Sequence, residues 1–380
     1  MSYRSVREIL NAVFDSDDNS LKTIFKTDGE VLNMVLDETE GPALKVNMAG
    51  GSGLTDAEKA EIAKASYNAV INPDRNIDQR LNGVVTSFNE FICDRFKLGG
   101  NTGTGTSTAS GENVTLNNKQ WNKLSGAVTG GNGAEYISDK TTLELDLDLI
   151  NSTNLVTDVY SPTGGDVAYQ VYYNYGAGGS TPETISESVI SIPSGESTIS
   201  VPITPPVGKT IGSGAVCIIN LFKQAGTNYP NVVCNHTADL YFTATKLGYN
   251  DIRIPVDPAT ELVKCQRYLP YRNDTDDATS TFPRLCNGLA ANTVTCDVIL
   301  NLKTSPRIKP TTITYSGAFA LYNPNSGLLP VTGMVVGGLT SNKESLCVRG
   351  NVASGLTQGA MYQLMPNNDS DAYIEVSTEL

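Results

Sequence analysis

The sequence predicts a mainly β protein: two antiparallel β-sandwich domains of jelly-roll type after a short helical coiled-coil neck, in a fibre-like oligomer. Three observations carry this expectation. Short runs of period-two apolar alternation, separated by Gly, Ser, Thr and Asn clusters, fill the chain from about residue 141 onward. The 35 glycines and 18 prolines leave no room for a mostly helical protein. Ile77, Leu81, Val84, Phe88 and Phe91 recur at the four-three-four-three spacing of a heptad seam, which one helix cannot bury alone.

Residues 1–53 form a distinct N-terminal segment. Val6, Ile9, Leu10, Val13 and Phe14 mark one face of a short amphipathic helix, which the acidic stretch Asp15-Ser-Asp-Asp-Asn closes. Residues 21–48 alternate as strands do, and Gly50-Gly51-Ser52-Gly53 is a flexible joint. The neck is placed at 54–98. Thr55 and Glu58 form a capping box at its start. Pro73 ends the first helix, and a second, from about 74 to 97, carries the heptad seam.

Residues 99–135 read as a Gly/Ser/Thr-rich linker region. Its glycines are not followed by the Gly-Lys-Ser/Thr of a phosphate-binding loop. The first sandwich is placed at 136–256. Leu143, Leu145, Leu147 and Leu149 alternate with Glu144, Asp146 and Asp148, and 167–175, 189–192, 198–203, 215–222 and 238–245 continue the strand series. Asp257-Pro258 marks the next boundary. The C-terminal jelly-roll is placed at 257–380, with strands expected at 293–302, 312–316, 333–336, 345–349 and 372–376.

Charge and composition exclude several classes of function. A net charge of -13 argues against binding nucleic-acid phosphate and against an anionic lipid surface. The first residues lack the apolar core of a secretory signal, and no run of about 18 apolar residues could insert in a membrane. Seven cysteines without a CxxC pair read as reduced, buried small hydrophobes of a protein made in a cytoplasm.

No catalytic, metal or cofactor site is expected, and the chain does not read as an enzyme. His236 is the only histidine and reads as a loop or edge residue, and no serine sits in a Gly-x-Ser-x-Gly elbow. Glu144, Asp146 and Asp148 read as the solvated half of a strand, and Asp274, Asp276 and Asp277 as a polar loop. Tyr169, Tyr173 and Tyr175 point to one face of a strand, with Tyr172 on the other. Such a row either packs a sandwich core or, if exposed, stacks on sugar rings, so these three are the candidate glycan contacts.

Cys265-Gln266-Arg267-Tyr268, preceded by Glu261-Leu262, resembles the motif that opens a C-terminal jelly-roll module in tailed-bacteriophage fibre and virion proteins. Asp297-Val-Ile-Leu-Asn-Leu-Lys-Thr-Ser-Pro306 is similar to a strand of that module, with Leu302-Lys303 where the family has Met-Arg. Residues 136–255 look like the carbohydrate-binding-type sandwich that often precedes it.

The resemblance implies a homotrimeric virion fibre, of head or tail, synthesised in the bacterial host cytoplasm and attaching to host surface glycans. It implies that Val6, Ile9, Leu10, Val13 and Phe14 dock on a capsid, portal or tail protein. Ile77, Leu81, Val84, Phe88 and Phe91 would then be the trimer seam. Cys265, Gln266, Arg267 and Tyr268 would be structural, with Cys265 in the core and Arg267 and Tyr268 locking a strand. The alternatives are a structural head-decoration or adaptor protein and a polysaccharide-cleaving tailspike.

Overall fold

The computed structural model describes strands at 26–27, 30–36 and 44–49, and then residues 67–80, 83–251, 257–269, 271–272, 284–306, 308–311, 313–337, 345–369 and 372–378. The chain divides into two units, Met1–Ala65 and Ser66–Leu380. In the first, β1 (Lys26–Thr27), β2 (Glu30–Leu36) and β3 (Leu44–Ala49) make a three-stranded antiparallel sheet, as the alternation at 21–48 predicts. The candidate docking residues Val6, Ile9, Leu10, Val13 and Phe14 and the capping box at Thr55 lie outside the described residues.

The larger unit opens with a sandwich that begins well before residue 136. Its strands start with β4 (Phe91–Cys93), β5 (Phe96–Asn101), β6 (Thr106–Ser107), β7 (Ser110–Leu116), β8 (Lys119–Ser125) and β9 (Val128–Thr129). They continue through β10 (Tyr136–Glu144), β11 (Asn154–Ser161), β12 (Gly165–Asn174) and β13 (Glu183–Ile192). β14 (Gly195–Pro202), β15 (Val216–Ala225), β16 (Cys234–Asn235) and β17 (Leu240–Gly248) complete it. One sheet has the order β13-β12-β15-β10-β5-β4, with β16 on β15 as its seventh strand. The facing sheet has the order β14-β11-β17-β8-β7. Ile92, Phe96, Leu98, Leu124, Val159, Val171, Ile219 and Phe242 fill the space between them.

The helical neck is therefore corrected over its described part. Ile77 lies in a stretch without regular structure, Val84 in a bend and 57% exposed, Phe88 in a turn, and Phe91 begins β4. Leu81 falls outside the described residues. The physical reason is a series of left-handed backbone positions at Asn72, Arg75, Gly83, Asn89 and Arg95, which no α-helix accommodates. Asn72 fixes the loop by donating to Ile77 O (2.8 Å) and Asp94 O (2.9 Å) and accepting from Ile77 N (3.0 Å).

The linker at 99–135 is corrected too. It folds as the end of β5 and all of β6 to β9, and it supplies the fully buried Trp121. Glycine is required in β5 for close approach: a Cβ on Gly99 would stand 2.3 Å from Ser138 Oγ. Asn117 and Asn118, both at positive φ, turn β7 into β8, the two-residue hairpin that an Asn-Asn pair between alternating runs supports.

A nine-residue helix, α1 (Pro258–Gln266), leads out of the sandwich. Asp257 caps it, accepting from Ala259 N and Thr260 N, with Pro258 at the first turn. The strands that follow are β18 (Tyr271–Arg272), β19 (Cys286–Ala290), β20 (Thr295–Asn301), β21 (Thr314–Ser316) and β22 (Phe319–Asn323). Next come β23 (Gly327–Val336), β24 (Ser345–Val352), β25 (Met361–Pro366) and β26 (Tyr373–Val376). Six of them close into a barrel in the order β19-β20-β24-β23-β22-β25, and β18, β26 and β21 form a small sheet beside it. The expected C-terminal jelly-roll sandwich is thus a closed barrel, whose interior holds Cys296, Val298, Leu321, Leu346, Val348, Tyr362 and Leu364.

Cys265-Gln266-Arg267-Tyr268 ends a helix and does not lock a strand, because Asp257-Pro258 is an N-cap as well as a boundary. Cys265 and Tyr268 are buried, Gln266 is half-buried, and the Arg267 side chain is exposed. Tyr268 lies under the Arg95 guanidinium at 3.8 Å, and its carbonyl accepts from Thr378 N at 2.7 Å. Glu261 is buried and accepts from Asn72 N at 2.8 Å. The helix therefore latches the first loop of the sandwich to the C-terminal strands.

Arg267→Ala should leave thermal stability within about 0.5 kcal/mol, as exposed changes do. Glu261→Ala should cost about 1–3 kcal/mol, because it leaves a buried N–H unpaired. Melting curves of the two variants check the assignment, and the reverse order would refute it.

All seven cysteines are free thiols; six are buried and Cys286 is half-buried. Burial pushes the thiols of Cys234, Cys286 and Cys296 up to about 12, so they are small apolar groups at neutral pH.

Candidate functional site

The three candidate tyrosines lie inside the sandwich. Tyr169, Tyr173 and Tyr175 are buried at 5%, 0% and 0% exposure, so they are corrected from glycan contacts to core residues. Their hydroxyls bond internally, to Ser186 Oγ (3.0 Å), Leu149 O (3.3 Å) and Glu183 Oε1 (2.7 Å). The reason is position: β12 is an inner strand of its sheet, and this row faces the opposing sheet.

The alternate row of β12 faces outward, and it is here that polar chemistry collects. Strand register aligns Glu187 on β13, Gln170 on β12, Asn220 on β15, Lys140 on β10, Lys97 on β5 and Phe91 on β4. At the usual strand spacing of about 4.8 Å, this row runs roughly 24 Å across the sheet. All six side chains are half-buried or more.

The first part of the row is a hydrogen-bonded ladder. Asn231 Nδ2 donates to Glu187 Oε1 (2.7 Å) and Gln170 Nε2 to Glu187 Oε2 (2.8 Å). Asn220 Nδ2 donates to Gln170 Oε1 (3.3 Å), and Ser138 Oγ to Asn220 Oδ1 (3.2 Å). Each amide nitrogen has a second N–H that these bonds leave available. The ladder is thus a fixed series of donors and acceptors along the outer face of the sheet, with Gln170 and Glu187 half-buried and Ser138 and Asn220 buried.

Two different walls flank this row. On one side Phe222, Ala168, Val232 and Cys234, with Tyr136 and Tyr229, pack as a satellite apolar cluster under the loop after β15. On the other side, Tyr172 stands opposite Ile218, which is itself opposite Thr142. Tyr172 is half-buried, and among the described residues its hydroxyl has no hydrogen bond and its ring no ring partner. A partly exposed ring beside a row of amides is the combination that takes up a flat, hydroxyl-rich molecule.

The far end sets two bases against an aromatic ring, and Arg80 is bridged to Asp94 (3.3 Å) and Glu375 (3.4 Å). Lys97 Nζ lies 4.5 Å from the Phe91 ring centroid and the Arg80 guanidinium 3.9 Å from it. Phe91, Arg80, Glu90, Thr314, Tyr373 and Glu375 line a cavity of about 420 Å³ there. An apolar groove of about 470 Å³ lies on the barrel exterior, among Leu289, Ile299 and Met361.

His236 lies in the loop just after β16, as its reading as a loop or edge residue has it, and it is buried there. Its Nε2 is 2.9 Å from Ser161 Oγ, which also accepts from Thr163 N and Gly164 N. This Ser–His pair closes a turn, and both residues are shut away from solvent. Burial, then the nearby Lys223 ammonium, holds the imidazole below its ordinary value of 6.5. Folding therefore favours neutral His236, and its contribution to stability is lost as pH falls below about 6.5. His236→Gln should flatten that part of the pH–stability curve, measured by melting between pH 7.5 and 5.

Glu144 ends β10, and Asp146 Oδ1 accepts from Asp148 N and Leu149 N in the turn after it. These acids do not form a facing carboxylate pair. Asp274, Asp276 and Asp277 lie outside the described residues. Among the described residues no group of three or more His, Cys, Asp or Glu side chains could hold a metal ion.

No family model and no curated protein matches the chain. Among solved structures it is similar to a family 11 carbohydrate-binding module from Clostridium thermocellum, in complex with a β-1,3-1,4-mixed-linked tetrasaccharide. The identity is 12%, the TM-score 0.29, and 45% of this chain and 97% of that one are covered. A family 30 carbohydrate-binding module gives 15% identity and a TM-score of 0.30, over 51% of this chain and 95% of that one. A tandem pair of family 22 modules from Paenibacillus barcinonensis gives 9% and 0.25, over 83% and 99%. At these scores the likenesses carry no argument about what the chain binds.

Proposed function

We propose that this chain is a carbohydrate-binding subunit whose ligand lies across the outer face of the seven-stranded sheet. The observation that carries the reading is the fixed ladder Glu187–Gln170–Asn220–Ser138 beside the partly exposed, unbonded Tyr172. Amides and a carboxylate held in place match sugar hydroxyls as donors and acceptors, and the tyrosine ring covers an apolar sugar face. The ladder is already hydrogen-bonded, so little side-chain freedom is lost on binding.

The setting we propose is a bacteriophage virion fibre. The resemblance at Cys265-Gln266-Arg267-Tyr268 and at 297–306 supports it. In that setting the chain is a homotrimer, residues 1–53 contact another virion protein, and three weak glycan sites act together through avidity.

The test is a glycan array with the full chain, together with a reducing-sugar assay and light scattering. The expected result is glycan retention without sugar release, at about three times the 40.5 kDa chain mass. Release of reducing ends would favour the tailspike alternative. No retention, with a trimer intact, would favour the structural decoration alternative.

A further inference from the structure

The row on the outer sheet face holds, in Lys140, a charge that no described residue neutralises. Lys140 stands at its centre, opposite Asn220 on one side and Lys97 on the other. Two like charges directly opposite on neighbouring strands repel, and native sheets normally avoid the arrangement. Among the described residues the Lys140 ammonium has neither a hydrogen bond nor an ion pair. The acid of its row, Glu187, is three strands away, roughly 14 Å at ordinary spacing. That carboxylate is already engaged by Gln170 and Asn231. The chain carries 40 acidic and 27 basic residues, so a lysine without an acidic neighbour is not a matter of supply.

The side chain is also held in place. A Cβ on Gly99 would lie 2.9 Å from Lys140 Cβ and 3.4 Å from Cδ, so the lysine stem rests on the bare backbone of β5. The half-buried lysine stem thus lies over β5, in the same cross-strand row as the ladder. Burial holds its pKa below the ordinary value, the mark of an ammonium that lacks compensation.

Resting on the glycan-binding reading of this face, we propose that the saccharide it takes is acidic, with its anionic group seated on Lys140 beside Lys97. The neutral part of the sugar lies along Asn220, Gln170 and Tyr172. A carboxylate-bearing sugar and a phosphate-bearing polyol share this chemistry.

The experiment is calorimetric titration of the full chain. The probes are uronic-acid oligomers, the same oligomers as methyl esters, a poly(glycerol phosphate), and a neutral oligomer of equal length. The expected result is binding of an anionic probe, at least tenfold weaker binding of its esterified or neutral counterpart, and weakening by salt. Whether the uronate or the phosphate polymer binds tells which anion is meant. Lys140→Gln should lose the tenfold preference with melting unchanged, and Lys140→Arg should restore it. Equal binding of neutral and acidic probes, unchanged in Lys140→Gln but lost in Tyr172→Ala, would overturn the acidic seat and leave the glycan site standing. Absence of binding by every probe would overturn the acidic seat, and the glycan array decides separately whether the face binds sugar at all.

Discussion

Asp139→Ala should lower the unfolding free energy by about 3–5 kcal/mol, because it strands a buried guanidinium without its counter-ion. Arg75 Nη2 lies 2.8 Å from Asp139 Oδ2, and both side chains are wholly buried between the sheets. Thr245 Oγ1 accepts from the same guanidinium nitrogen, Asn122 Nδ2 donates to Asp139 Oδ1, and Phe96 lies against the guanidinium at 3.6 Å. This network ties the loop before β4 to β8, β10 and β17. Burial raises the Asp139 pKa, while Arg75 and Asn122 oppose that rise. Denaturant unfolding of Asp139→Ala checks the size. A loss under about 1 kcal/mol would mean that the loop is held by other contacts.

Tyr172→Ala should weaken glycan binding by about ten- to thirtyfold, the effect of removing an aromatic anchor worth roughly 1.4–2 kcal/mol. Folding should change by less than about 1 kcal/mol, since the ring is partly exposed and makes no hydrogen bond. Tyr173→Ala is the informative contrast. That ring is fully buried, so its loss should cost about 3–5 kcal/mol and damage binding only through unfolding. Titration with any array-positive glycan, paired with melting of both variants, separates the two faces of one strand. Equal binding by wild type and Tyr172→Ala would remove the ring from the site.

Much of the fold was legible where strands alternate cleanly. Residues 167–175 and 345–349 fall on β12 and β24 because each alternates an apolar with a more polar face, and 215–222 falls on β15 as a nearly continuous apolar run. Failure came where local pattern and tertiary contact disagree. The spacing of Ile77, Val84, Phe88 and Phe91 imitates a heptad, but Arg75 must reach Asp139, and its left-handed backbone prevents a helix there. The glycines of 99–105 look like a linker until Ser138 is seen packed against Gly99. The tyrosine row was correctly split from Tyr172, but parity within a strand does not say which face is open. The ladder was hidden because Glu187, Gln170, Asn220 and Lys140 come from four strands, and only register aligns them.

The most direct test follows the side-chain amide resonances of Gln170 and Asn220 in the full chain during titration with a retained glycan. The proposed site predicts that both amides shift together at saturation, along with backbone signals of Tyr172 and Lys140, while signals of Leu289, Ile299 and Met361 on the barrel stay fixed. Shifts confined to the barrel groove, with Gln170 and Asn220 unmoved, would contradict it.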